Sequence, residues 1–136
     1  MSDSSPCRFV TREEIQHEDV PWCHLEWLSR PGQVEAEQLM VVRAIMPPGK
    51  GHNFHLHPGR EEIIYILEGE AEQWVGESSR KLGPGDVAHI PADMVHATFN
   101  TSDRELRFLA ILGPADTGSD EFTVDVFDQA PWNSIR

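Results

Sequence analysis

Basic side chains are scarce in this chain: 11 Lys and Arg stand against 23 Asp and Glu over 136 residues, a formal net charge of -12. A field of that sign repels phosphate backbones and anionic headgroups, so neither nucleic acid nor a membrane surface is an expected partner. It does not exclude a carboxylate ligand, because Arg, Lys or metal charge inside a cleft overrides the mean field. Cysteine is nearly absent. Cys7 and Cys23 form neither a CxxC pair nor a set large enough for a zinc site, and two ordinary free thiols are expected. Long apolar runs are missing as well: nowhere do the roughly 18 consecutive apolar residues of a membrane span stand together. The opening Met1-Ser-Asp-Ser-Ser-Pro6 has no basic or apolar leader character, and a cytoplasmic protein is expected.

Repeats, low-complexity segments and linkers are also lacking, which leaves a single domain as the expectation. From about Cys23 onward, short runs rich in Val, Ile, Leu, Phe and Trp are separated by Gly and Pro at intervals of about ten residues, the pattern of an all-β sandwich or barrel. The clearest strands span 39–46, 54–57, 62–67, 70–75, 86–90, 95–99 and 106–111. Turns are expected at Pro47-Pro48-Gly49, Pro58-Gly59, Glu68-Gly69, Gly83-Pro84-Gly85 and Gly113-Pro114. The expected division is an N-terminal arm over 1–22, a barrel over 23–113, and a tail over 114–136 that packs on the barrel or on a second subunit. Within the arm, Thr11 to Glu14 spells the T-x-x-E of a helix cap.

Against this background the histidines are concentrated. Four of the seven, His52, His55, His57 and His96, lie in or beside two glycine-bounded segments. Side chains two apart on a strand share a face, so His55 and His57 aim at one point, whereas His52 on a regular strand points away and is expected at the rim. His89 is expected at the barrel mouth or in solvent. After the turn at Pro58-Gly59 the next strand offers Glu61 and Glu62. A four-residue loop over 58–61 puts Glu62 opposite His57, and a three-residue loop puts Glu61 there. Both faces of that strand are apolar, so its periodicity does not choose between them.

The segment Gly49 to Gly69 resembles the first cupin motif: a Gly, five residues, His55-x-His57, four residues, Glu62, six residues and Gly69. Gly85, Pro91, His96 and Asn100 stand at the offsets of the second motif, with Asp93 where that motif usually has Gly. Asp tolerates left-handed backbone better than most residues, so the turn is expected to survive. The resemblance implies a cupin double-stranded β-helix, a jelly-roll barrel holding one divalent transition metal (Mn, Fe, Ni, Co, Cu or Zn) through His55, His57, Glu62 and His96, and commonly assembled as a homodimer. Three imidazoles and one carboxylate leave coordination space for a substrate or dioxygen.

Similar barrels serve as dioxygenases, isomerases, lyases and cyclases as well as binding and sensing modules, so the fold implies no single reaction. The expectation is a metal-dependent enzyme acting on a small oxygenated metabolite, with a non-catalytic ligand-binding barrel as the alternative. Arg43, in the strand before the first motif, and Ile64 and Ile66, on the Glu62 face of the next, are the candidate substrate-binding residues. The sequence names no general acid or base. Trp74, Phe99, Phe108 and Met94 are read as core before pocket, and Tyr65 is expected to face outward.

Overall fold

A computed structural model describes residues 9–136, so Cys7 and the start of the expected arm lie outside the described residues. The T-x-x-E segment forms a 3-10 turn at Arg12–Glu14, with Thr11 N donating to Glu14 Oε1 at 2.9 Å. Eleven strands follow in chain order: β1 (Gln16–Val20), β2 (Cys23–Ser29), β3 (Met40–Met46), β4 (Gly51–Leu56), β5 (Glu61–Glu68), β6 (Ala71–Val75), β7 (Ser78–Leu82), β8 (Val87–Ile90), β9 (His96–Phe99), β10 (Leu106–Gly113) and β11 (Val124–Asp125). They form two sheets, a six-stranded one in the order β1-β2-β3-β10-β5-β8 and a five-stranded one in the order β11-β4-β9-β6-β7. All of the strand pairs are antiparallel. Among the described residues no helix is long and apolar enough to cross a membrane.

Alternation explains how the sheets build a core. On β3 and β10 every second residue is buried, and the larger apolar cluster joins these to Leu25, Trp27, Ile64, Ile66 and Ile90 from the neighbouring strands. Turning one such side chain from solvent to the interior contributes about 1.5–3 kcal/mol. A second cluster of Phe54, Trp74, Ala97, Phe99 and Val126 sits on the far face of the smaller sheet, with Trp132 and Ile135 packed against it. The tail therefore folds onto its own barrel. Its last residue, Arg136, bonds Glu72 and lies 3.6 Å over the Phe99 ring.

The motif residues act on the backbone at the points where strands turn. Gly69 has φ 86°, and a Cβ there would run into the Glu105 carbonyl, so both conformation and space demand glycine. Asp93 occupies the left-handed region at φ 67°. Its Oδ1 accepts from Gly59 N at 2.9 Å and so ties the first motif's turn to the second's. Asn100 is buried, and its Nδ2 donates to Met46 O at 3.0 Å and Arg104 O at 2.7 Å.

Residues 16–20, expected in an arm, are instead the edge strand of the larger sheet. They carry the polar run Gln-His-Glu-Asp-Val, which gives no strand signal by hydropathy.

Candidate metal centre

His55 ends up opposite His96 in the β4–β9 ladder, and His57 follows β4 directly. Across the barrel, Glu62 is the second residue of β5. All four side chains are buried. One ring nitrogen from each of the three histidines lies within 4.8 Å of the others. Glu62 Oε1 stands 2.9 Å from His96 Nε2 and 3.3 Å from His57 Nε2. Glu61 faces the other way, its side chain 64% exposed, and pairs with His89 on the outside.

The protons on these rings are assigned by their partners. His55 Nδ1 meets Asn53 O at 2.6 Å, His57 Nδ1 meets Phe122 O at 2.9 Å, and His96 Nδ1 meets Met94 O at 2.9 Å. A carbonyl oxygen only accepts, so each Nδ1 carries the hydrogen and each neutral ring keeps a bare lone pair on Nε2. Three lone pairs and a carboxylate then confront one another in a buried space. Two of these atoms, Glu62 Oε1 and His96 Nε2, have no hydrogen-bond partner. Leaving such atoms buried and unpaired costs on the order of 1–3 kcal/mol each. The donor set fits a divalent cation, whose charge satisfies all of them together, and backbone carbonyls are the usual outer partners that orient metal-binding imidazoles.

The electrostatics point the same way. Burial above all, with the neighbouring rings, draws His55 well below the ordinary histidine range. Burial works to raise the Glu62 carboxyl, and it falls to about 2 only with hydrogen bonds from His57 and His96. Those bonds need protons on nitrogens that the tautomers leave bare. A cation held at this point would supply the positive charge that keeps a buried Glu62 ionised.

The four groups open into a cavity of about 910 Å³. Its wall includes Trp22, Trp27, Ile64, Phe108, Phe122 and Phe127. Two of the three candidate substrate residues do not reach it. Arg43 shares the outer face of β3 with Val41 and Ile45, opposite the cavity-lining Val42 and Ala44, and its Nε bonds Glu26 Oε1 at 2.5 Å. Ile66 has the expected face but lies too far along β5, wholly buried in the apolar cluster. Trp74 and Phe99 are core on the far side of the smaller sheet, Met94 is 39% exposed, and Tyr65 points outward.

His52 corrects the expectation in the other direction. Four residues of β4, from His52 to His55, oppose three of β9, from Thr98 to His96, which is a β-bulge. The extra residue resets the alternation, so His52 turns inward and stacks on His55 at 3.5 Å and on Trp22 at 4.0 Å. Burial is the main reason its pKa falls to about 3, which keeps the ring neutral. Trp22, Trp27, Phe122 and Thr123 are further cavity residues that the sequence reading did not assign. For Trp27 a signal existed: Cys23, Leu25 and Trp27 alternate strictly with His24 and Glu26.

A family profile described as the cupin domain matches residues 42–112. Among curated proteins, the dimethylsulfoniopropionate lyase DddQ of Ruegeria pomeroyi is 41% identical over 81 residues, 59% of this chain and 39% of the lyase. The chain thus spans well under half the length of that relative. The polyketide synthase CurC of Streptomyces cyaneus is 33% identical over 107 residues, 79% of this chain and 70% of that protein. Among solved structures, the polyketide cyclase RemF of Streptomyces resistomycificus aligns with a TM-score of 0.72 at 21% identity, covering 93% of this chain and 91% of that one.

Proposed function

The chain belongs to the cupin domain family, and on that footing we propose a metal-dependent enzyme that closes or rearranges rings in an oxygenated, unsaturated substrate of many carbons. The observation that supports this most is the cavity, about 910 Å³ with aromatic walls and with His55, His57, Glu62 and His96 in its lining. That volume far exceeds what a two-carbon dianion fills, and a net charge of -12 works against such a ligand. His55, His57, Glu62 and His96 would hold one divalent ion from the set Mn, Fe, Ni, Co, Cu and Zn. When bound, such an ion supplies Lewis-acid polarisation of a substrate oxygen.

The chain's own residues do the rest. Trp22 and Phe122 offer faces on which a planar, conjugated molecule stacks. Ile64 and Phe108 exclude water and keep the local dielectric low, which strengthens every charge effect in the site. His52, neutral and inside the cavity, presents a ring nitrogen to a hydroxyl or enol of the substrate. Similarity to the polyketide synthase CurC over most of this chain supports a many-carbon substrate of polyketide type. Two copies would pair as a homodimer, with residues 114–136 kept on their own barrel.

Incubating the metal-loaded protein with poly-β-ketones and hydroxylated aromatics, with and without dioxygen, tests this by mass spectrometry. Cyclisation appears as loss of water that does not depend on dioxygen. Incorporation of oxygen atoms would replace this reading with dioxygenation. Substrates that bind yet return unchanged with every ion would overturn catalysis altogether in favour of a ligand-binding barrel.

A further inference from the structure

The outer face of the β1–β2 hairpin carries a second group of metal-type donors, on the far side of the wall from the cavity. Alternation sets it up. Glu18 and Val20 on β1, like Leu25 and Trp27 on β2, line the cavity, so His17, Asp19, His24 and Glu26 share the opposite face. The register sets His17 against Glu26 and Asp19 against His24, a two-by-two block.

Within the block, His17 Nδ1 lies 2.9 Å from His24 Nε2 and 3.8 Å from Glu26 Oε2. One donor atom from each of His17, His24 and Glu26 falls within 4.8 Å of the others. Small side-chain rotations bring such a set to the roughly 2.0–2.2 Å bonds of a zinc-type ion. Asp19 has a different role: its Oδ1 is 2.7 Å from His24 Nδ1. An ionised carboxylate only accepts, so the proton sits on Nδ1 and the His24 Nε2 lone pair is aimed at His17. A carboxylate behind an imidazole in this way is the usual outer support of a metal-binding histidine. Glu26 is braced too, with Arg43 Nε on Oε1 at 2.5 Å while Oε2 remains toward the rings. His17 is 53% exposed and His24 34%, so an ion reaches them from solvent.

We propose that His17, His24 and Glu26 bind a second divalent cation, of the borderline class that takes imidazole with carboxylate and best represented by Zn(II), with Asp19 orienting His24. Among the described residues, β1 is an edge strand that pairs with β2 alone. An ion joining His17 to His24 and Glu26 fastens that edge, and with it the part of the cavity wall that Glu18 and Val20 form.

The test counts zinc on the metal-stripped full chain by calorimetry and by elemental analysis after gel filtration. The His55→Ala, His57→Ala double variant leaves the hairpin untouched and is expected to take one zinc ion per chain. Adding His24→Ala, or His17→Ala, is expected to abolish that binding. Zinc is also expected to slow amide exchange across β1 and β2 in the double variant, and to lose that effect with His24→Ala. A folded double variant that takes no zinc overturns the hairpin site, as does zinc binding indifferent to both His17→Ala and His24→Ala. Because the wild-type count is read separately, failure of the barrel site and failure of the hairpin site give different results.

Discussion

Consecutive glutamates on β5 point to opposite sides of the sheet, so charge-neutralising changes at the two probe the barrel site with little disturbance of the backbone. Glu62→Gln is expected to lower affinity for a divalent ion by more than about 10-fold, the low end of what loss of even an outer partner costs. Glu61→Gln, on the exposed side against His89, is expected to leave affinity unchanged, and isothermal titration of both reads the difference. Asp93 invites a similar pair. Its left-handed backbone at φ 67° costs about 1–2 kcal/mol without glycine, which its bond to Gly59 N offsets. Asp93→Gly is therefore expected within about 1 kcal/mol of wild type and Asp93→Ala about 1–2 kcal/mol below it, measured by denaturant unfolding. Cys23 supplies a pH dependence. Burial above all pushes its thiol up to about 12 from 9.0. Above pH 9 the unfolded chain loses a proton that the folded one keeps, so stability falls as pH rises from 9 toward 12 by about 1.4 kcal/mol per unit. Cys23→Ala is expected to flatten that slope. At this scale the H-x-H pair was legible as a count along the chain, whereas the choice of Glu62 over Glu61 rested on the spacing of the cupin motif. The inward turn of His52 was not, since a bulge becomes visible only when β4 is laid against β9.

The element that clasps the site is the loop after β10. Arg60, buried in the turn between His57 and Glu62, donates to Pro114 O at 3.1 Å and Ala115 O at 2.8 Å, and its guanidinium lies 4.6 Å from the Phe122 ring. Phe122 in turn gives its carbonyl to His57 Nδ1. Arg60→Met keeps the apolar stem and removes both bonds, with an expected loss of about 2–4 kcal/mol in thermal or denaturant unfolding. Because His57 loses a fixed partner as well, metal affinity is expected to fall about 10-fold, more than in a control such as Arg107→Met at a surface pair. Strand legibility divided along the same lines. β3, β5 and β10 announce themselves through apolar residues that must be covered. β7, with Ser78-Ser-Arg-Lys-Leu82, and β1 are edge strands whose polar side chains suit solvent, and only backbone pairing with a neighbour makes them strands.

At the scale of the whole molecule, metal binding at the barrel site is expected to show as stability. An ion that binds only the folded chain adds about 2.7 kcal/mol at 100 times its Kd, which for a domain of this size raises Tm on the order of 10 °C. Chelator is expected to lower Tm by that amount in wild type and much less in His55→Ala, followed by differential scanning calorimetry. Tyr65 and Leu67 of β5 and Val87 of the edge strand β8 are exposed apolar residues suited to self-association, and Tyr65 pairs with Val87 in register. Sedimentation is expected to show a dimer that Val87→Lys dissociates.

The four barrel donors come from opposing layers, His55 and His96 from the smaller sheet, His57 just beyond its β4 strand, and Glu62 from the larger one. An ion shared among them would rivet the sandwich, since parting the layers would break its bonds. His55 and His96 are also distant in sequence, so the full donor set is expected to form only once the layers have docked, late in folding. Contacts completed that late act on the lifetime of the native state rather than on the speed of reaching it. In stopped-flow experiments, loading with metal should therefore leave the refolding rate nearly unchanged and slow unfolding by the whole of the binding free energy.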